Sequence, residues 1–135
     1  LKVIITIVIL FIANGTFAQN IEGAADIDEE NTPVSEVRVY IENGKLYGKV
    51  VKVYDNKYKT ITEGPKKYKG QSTVGTMVIM GLEKDGNKWT GKNGVFDPLS
   101  GYVANATIWV ESKDVLKVMG KVLIFNETQT WKRIK

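Results

Sequence analysis

Between Ser35 and Val51 the chain alternates apolar and polar residues on either side of one Asn-Gly pair, SEVRVYIENGKLYGKVV. Alternation is the period of a half-buried strand, because successive side chains leave a strand on opposite faces. Asn43-Gly44 is the preferred pair for a two-residue type I′ turn, where both residues need positive φ. That turn fixes the register. Glu42 faces Lys45, Ile41 faces Leu46, Tyr40 faces Tyr47, Val39 faces Gly48, Arg38 faces Lys49 and Val37 faces Val50. One face then carries Val37, Val39, Ile41, Leu46, Gly48 and Val50, and the other Arg38, Tyr40, Tyr47 and Lys49. The pattern predicts a hairpin with an apolar inside and a wet outside.

Strand signals recur downstream. TVGTMVIMGL ends in the turn EKDGN, a short segment spans Lys88 to Thr90, and GVF precedes DPLSG. Asp97-Pro98 opens a tight turn there and Gly101 closes it. From Tyr102 to Val110 the residues Tyr102, Ala104, Ala106, Ile108 and Val110 share a face. After the turn ESKD, a strand is expected from Val115 to Ile124, interrupted by Gly120, and a last one from Thr128 to Ile134. No stretch keeps a helical period. About eight strands joined by short turns predict an all-β domain, an antiparallel up-and-down β-barrel that removes its exposed edges by closing. Gly48, Gly75, Gly81 and Gly120 are places where such a sheet can bend. A length of 135 residues fits one domain with one core.

Three segments depart from this pattern. LKVIITIVILFIANGTFAQ has a lysine near its start, an apolar run from Val3 to Ala13 and small residues at Thr16 and Ala18. This is the layout of a secretory signal cleaved after Ala18, so residues 1–18 are expected to be a signal peptide and 19–135 a single barrel, exported to the periplasm or beyond. The run is shorter than the ~20 residues that cross a bilayer, which disfavours a retained anchor. In NIEGAADIDEENTP, the spacing of Asp26, Asp28 and Glu30 resembles the start of a calcium loop. The sixth position is Asn31 instead of glycine and the twelfth Val37 instead of glutamate, so a linker or weak first strand is expected and no metal site. DNKYKTITEGPKKYKGQS, Asp55 to Ser72, interleaves Lys57, Lys59, Lys66, Lys67 and Lys69 with Tyr58 and Tyr68. Such interleaving can bind single-stranded nucleic acid or an anionic polymer, but in an exported protein of low net charge a long solvated loop is favoured.

Composition narrows the chemistry. There is no cysteine and no histidine. A disulfide framework, a thiol nucleophile, a Ser-His-Asp triad and a histidine-ligated zinc are therefore excluded. The formal net charge of +4 becomes +3 once Lys2 leaves with the signal. That is too modest to argue for nucleic acid as a partner.

Four runs, NGKLYGKVV at Asn43 to Val51, GLEKDGNKW at Gly81 to Trp89, VFDPLSG at Val95 to Gly101 and TQTWKR at Thr128 to Arg133, together resemble the domain of unknown function 2147 family of small exported bacterial proteins. The resemblance implies a lipocalin-like, or calycin-like, antiparallel barrel with no established activity. Lipocalin barrels commonly start with Gly-x-Trp, and an arginine on the final strand lies across that tryptophan. By resemblance Arg133 matches the arginine and Gly23 the glycine, but Ala25 stands at the tryptophan position. Trp131 and Arg133 are therefore the candidates for barrel closure. Either Trp131 covers the barrel end, or it is a half-buried strand residue beside a surface arginine.

The expected function is binding of a small hydrophobic or amphipathic ligand, with Val37, Val39, Ile41, Leu46, Val50, Ile108 and Val110 as candidate lining. The alternative is an envelope interaction module: a barrel filled by its own side chains, with the basic loop touching anionic surface material or a protein. No cofactor and no catalytic constellation are expected. Asp97 is the conspicuous carboxylate, and an Asp-Pro turn already accounts for it.

Overall fold

The computed structural model describes residues 8–10, 23–27 and 33–134. Its strands are β1 (Val8–Leu10), β2 (Gly23–Ile27), β3 (Pro33–Glu42), β4 (Lys45–Val53), β5 (Met77–Asp85), β6 (Lys88–Phe96), β7 (Val103–Ser112), β8 (Val115–Val122) and β9 (Phe125–Arg133). They form a closed barrel in sequence order. From β2 onward each strand is antiparallel to the next, and β2 returns to β9 through Ala25↔Lys132 and Asp26↔Trp131. Eight strands thus close the ring. β1 pairs in parallel with β3 and β9. It falls within the expected signal peptide, most of which lies outside the described residues, and the ring from β2 to β9 closes without it. The acidic stretch reaches the described residues at β2, which takes the place of a weak first strand, and at Pro33, which opens β3, while Asp28 and Glu30 lie outside them.

The β3–β4 hairpin has the register that its turn dictates, from Glu42↔Lys45 to Val37↔Val50. Asn43 and Gly44 have φ of 53° and 78°. Outside, the rings of Tyr40 and Tyr47 stack with centroids 5.6 Å apart. The segments at Lys88–Thr90 and GVF prove to be one strand, β6, that carries an irregularity between Gly91 and Val95. Asn93 sits there at φ 52°, with its amide donating to Asn105 Oδ1 at 2.9 Å.

Inward-facing side chains fill the barrel. Val37, Val39, Leu46, Ile79, Leu82, Ile108 and Trp131 have essentially no accessible surface. Burying each aliphatic side chain completely is worth ~1.5–3 kcal/mol. Large residues lie against small ones, as a narrow barrel requires. Leu82 occupies the space opposite Gly91 and Gly94, where an added Cβ would come within 2.6 and 2.3 Å of its Cδ2.

Two expected inward residues differ. Ile41 and Val110 are 49% and 44% exposed. Their parity is inward, but Ile41 is one residue from the end of β3, and the β7–β8 register breaks after Val110. The ring ends before it can cover them. The last hairpin also differs. β8 stops at Val122 and β9 begins at Phe125, so the turn falls on Leu123-Ile124, before the gap from Phe125 to Glu127 that the expected strands left.

Candidate functional site: the loop end of the barrel

Because the strands alternate in direction, the connections sort to two ends. The tight turns at Asn43-Gly44, Gly86-Asn87 and Lys113-Asp114 share one, the turn end. The long β4–β5 connection, the β6–β7 connection and the β8–β9 turn share the other, the loop end.

The β4–β5 connection is folded, which corrects the expectation of a solvated loop. Asp55 caps a 3-10 turn at Asn56–Tyr58, its side chain accepting from the Lys57 amide. A small excursion is then zipped by Ile61 N donating to Gln71 O at 2.9 Å, Gly70 N to Ile61 O at 2.8 Å and Thr73 N to Lys59 O at 2.8 Å. Its apolar residues anchor it. Ile61 is buried, and Tyr68 stacks on Phe96 with ring centroids 4.1 Å apart while its hydroxyl approaches Met80 Sδ at 3.7 Å. Phe96 follows the inward Val95 and would face water without this cover. Gly64 packs on Gly101 so closely that a Cβ on Gly101 would fall 2.4 Å from Gly64 N, and Gly101 has φ 82°. Only glycine meets both demands. The five lysines stay exposed around this anchored frame.

Asp97 is the one charged residue among the described residues that is fully buried. It accepts from Leu99 N at 2.9 Å and Ser100 Oγ at 2.7 Å, and its carbonyl accepts from Gly101 N at 2.7 Å. These bonds offset the desolvation that burial imposes on a carboxylate. The Asp-Pro turn expectation therefore holds, and the turn also places Asp97 between two cavities. One, of about 10 Å³, is lined by Val34, Val37, Val50, Val53 and Val78 from the barrel wall and covered by Tyr58, Thr73, Pro98 and Leu99 from the connections. The other, of about 20 Å³, lies among Val95, Tyr102, Ala104, Val118, Gly120, Glu127 and Gln129. Each has room for about one water. Gln129 Oε1 accepts from Trp131 Nε1 at 3.3 Å, and its Nε2 is buried without a hydrogen-bond partner in the protein. A donor beside a water-sized space is a polar contact in waiting.

Tyr58 is half-buried and packs against the core. Its 3-10 turn buries no residue, and Thr73 Oγ1 donates to its carbonyl at 2.6 Å. Lys57 Nζ lies 4.9 Å from the centre of its ring. At the base of the connection Tyr54 donates its hydroxyl to Glu36. Burial, then that bond and the Glu36 charge, push the Tyr54 phenol up to about 12, so it remains a neutral donor across the physiological range.

The candidate residues divide accordingly. Val37 and Val50 border the first cavity. Val39, Leu46 and Ile108 sit deeper, in the packed core, and Ile41 and Val110 lie exposed at the turn end. Of the closure pair, Trp131 is fully buried in the core. Arg133 reaches the β7–β8 turn, donating from Nε to the Lys113 carbonyl at 3.1 Å, with Asp114 Oδ1 3.5 Å away. Both lie toward the turn end of β9, where Arg133 contacts the β7–β8 turn. Sequence reasoning did not single out Val34, Val53, Thr73, Val78 or Leu99, and it noted Tyr58 and Pro98 only as parts of a basic segment and a turn. The parity of Val53 with Val37 and Val50 was a usable signal, whereas the covering residues depend on how two connections fold back. Among the described residues no group of three His, Cys, Asp or Glu side chains is placed to hold a metal.

Comparisons agree with this architecture. A solved structure described as "Protein HP1028 from the human pathogen Helicobacter pylori belongs to the lipocalin family" superposes with a TM-score of 0.63 at 18% identity, covering 99% of this chain and 85% of that one. At that identity the match establishes a shared lipocalin-like fold. No curated protein matches the chain. The family model described as "Uncharacterized protein conserved in bacteria (DUF2147)" matches residues 25–133, nearly all of the ring from β2 to β9. The chain belongs to the DUF2147 family.

Proposed function

We propose that this protein works outside the cytoplasm as a binding protein for a small apolar or amphipathic molecule, taken at the loop end and not along the full depth of the barrel. The observation that carries the reading is the position of the two cavities, both beside Asp97 and one of them walled by five valines under Tyr58 and Leu99. The lipocalin-like fold is compatible with small hydrophobic ligands, and the apolar Val3–Ala13 run with small residues at Thr16 and Ala18 supports export. In this reading an alkyl tail displaces Tyr58 and enters among the valines. A polar head stays near the rim, where Lys57 and Lys59 are exposed. The packed core beneath limits how much tail can enter, so affinity is modest and short chains are favoured.

Displacement of a dansyl-labelled fatty acid by lauric acid tests the site. Leu99→Trp, which fills the covered space, is expected to weaken binding at least about tenfold, or ~1.4 kcal/mol. Tyr58→Ala is expected to speed ligand entry. Equal affinities and entry rates for the wild type and both variants would place any ligand elsewhere and end this reading.

A further inference from the structure

The β8–β9 turn is unlike the other tight turns of this barrel. Asn43-Gly44, Gly86-Asn87 and Lys113-Asp114 use residues suited to turns, but here the corner is Leu123-Ile124, between the paired residues Val122 and Phe125. Leu123 is held at φ 56°, a left-handed backbone that leucine adopts at a cost. Leu123 and Ile124 are each 83% exposed and Phe125 is 58% exposed. Neither stability nor solubility favours three consecutive large apolar residues at such a corner. Every other strongly exposed large apolar side chain among the described residues, Ile41 and Val110 excepted, also lies toward the loop end: Val51, Tyr54, Val74 and Tyr102.

Charge gathers at the same end. Exposed Lys57, Lys59, Lys66, Lys67 and Lys69 ride on the β4–β5 connection, against exposed Asp55 and Glu63 in that segment, and exposed Lys121 flanks the Leu-Ile corner; the acidic Asp28, Glu29 and Glu30, between β2 and β3 in the sequence, lie outside the described residues. We propose that the loop end docks on an anionic lipid surface, with Leu123, Ile124 and Phe125 entering the boundary between headgroups and acyl chains and the lysines resting on the headgroups. A convex apolar tip with cations set back around the same end matches a deformable, negatively charged interface. A protein partner would have to supply a fitted pocket. Pairing of Val122 with Phe125 leaves few backbone groups at the corner to be desolvated, which insertion requires. This inference does not depend on the ligand reading, since the tip is outside both cavities.

The chain has no cysteine, so one introduced thiol reports one place. Asn126→Cys beside the tip and Asn87→Cys at the turn end each receive an environment-sensitive fluorophore. The full chain is mixed with vesicles of equimolar phosphatidylglycerol and phosphatidylcholine, or of phosphatidylcholine alone. The label at 126 is expected to shift to the blue and be quenched by shallow lipid quenchers on the anionic vesicles, while the label at 87 stays in water. Replacing the corner by Leu123→Asn with Ile124→Gly is expected to abolish that shift while thermal stability holds or rises, because asparagine tolerates the left-handed φ that Leu123 adopts at a cost. Lys66→Gln, Lys67→Gln and Lys69→Gln together are expected to lower vesicle partitioning by at least about tenfold at low salt. A label at 126 that remains in water on anionic vesicles overturns the proposal. So does partitioning unchanged by the Asn-Gly corner, or burial of the tip by self-association without lipid.

Discussion

Leu82 shows how single residues decide what the barrel can contain. Its side chain lies across the positions where Gly91 and Gly94 lack a Cβ, and Ile79 does the same over Gly48. Two glycines on β6 are therefore partners of a leucine on β5, and the space they leave is already taken. Gly94→Val is expected to destabilise the fold by about 1–3 kcal/mol through overpacking. Adding Leu82→Ala should return part of that loss, because the new methyls then occupy the vacated volume. Chemical denaturation of the two single variants and the double variant measures the coupling, and simple additivity would mean that Leu82 does not fill that space. The parity of Leu46, Val39 and Ile108 was plain from alternation. Which glycine lies under which large side chain was not, since that depends on register shifts across β4–β5, β5–β6 and β6–β7.

Among the elements, the β4–β5 connection has the most to say about function. Its lysines give the segment the composition of solvated chain, yet Ile61 is buried and Tyr68 docks it on Phe96 of β6 and Met80 of β5. Tyr68→Ala removes the stack on Phe96 and is expected to cost about 2 kcal/mol, less than a fully buried aromatic because Tyr68 is only half-buried. The loss should be local. Hydrogen exchange at the Ile61 and Gly70 amides should accelerate while the β8–β9 amides keep their protection. Uniform acceleration would mean that the connection is part of the cooperative core. The same reasoning explains why the first hairpin was legible and the last was not. Asn43-Gly44 announces its turn chemically. Leu123-Ile124 carries the signal of a continuing strand, and it turns only because β9 must return beside β8 to meet β2.

At the scale of the whole molecule, closure and filling go together. The β2–β9 pairing completes the ring, Trp131 occupies the core near that seam, and Arg133 ties the end of β9 to the β7–β8 turn. An all-β meander, its direction of alternation and its approximate strand number followed from the sequence pattern, because period-two hydrophobicity and turn chemistry are local. How much empty space the closed ring would keep is a non-local property of packing. Here two cavities, of about 10 and 20 Å³, lie at the loop end, while Val39, Leu46, Ile79, Leu82 and Ile108 have essentially no accessible surface. Methyl resonances of valine, leucine and isoleucine during titration with lauric acid test this division most directly. Shifts concentrated at Val34, Val37, Val50, Val53 and Val78, with Val39, Leu46 and Ile108 unmoved, are the expected result. Shifts strongest at Val39, Leu46 and Ile108, or at no barrel methyl at all, would contradict it.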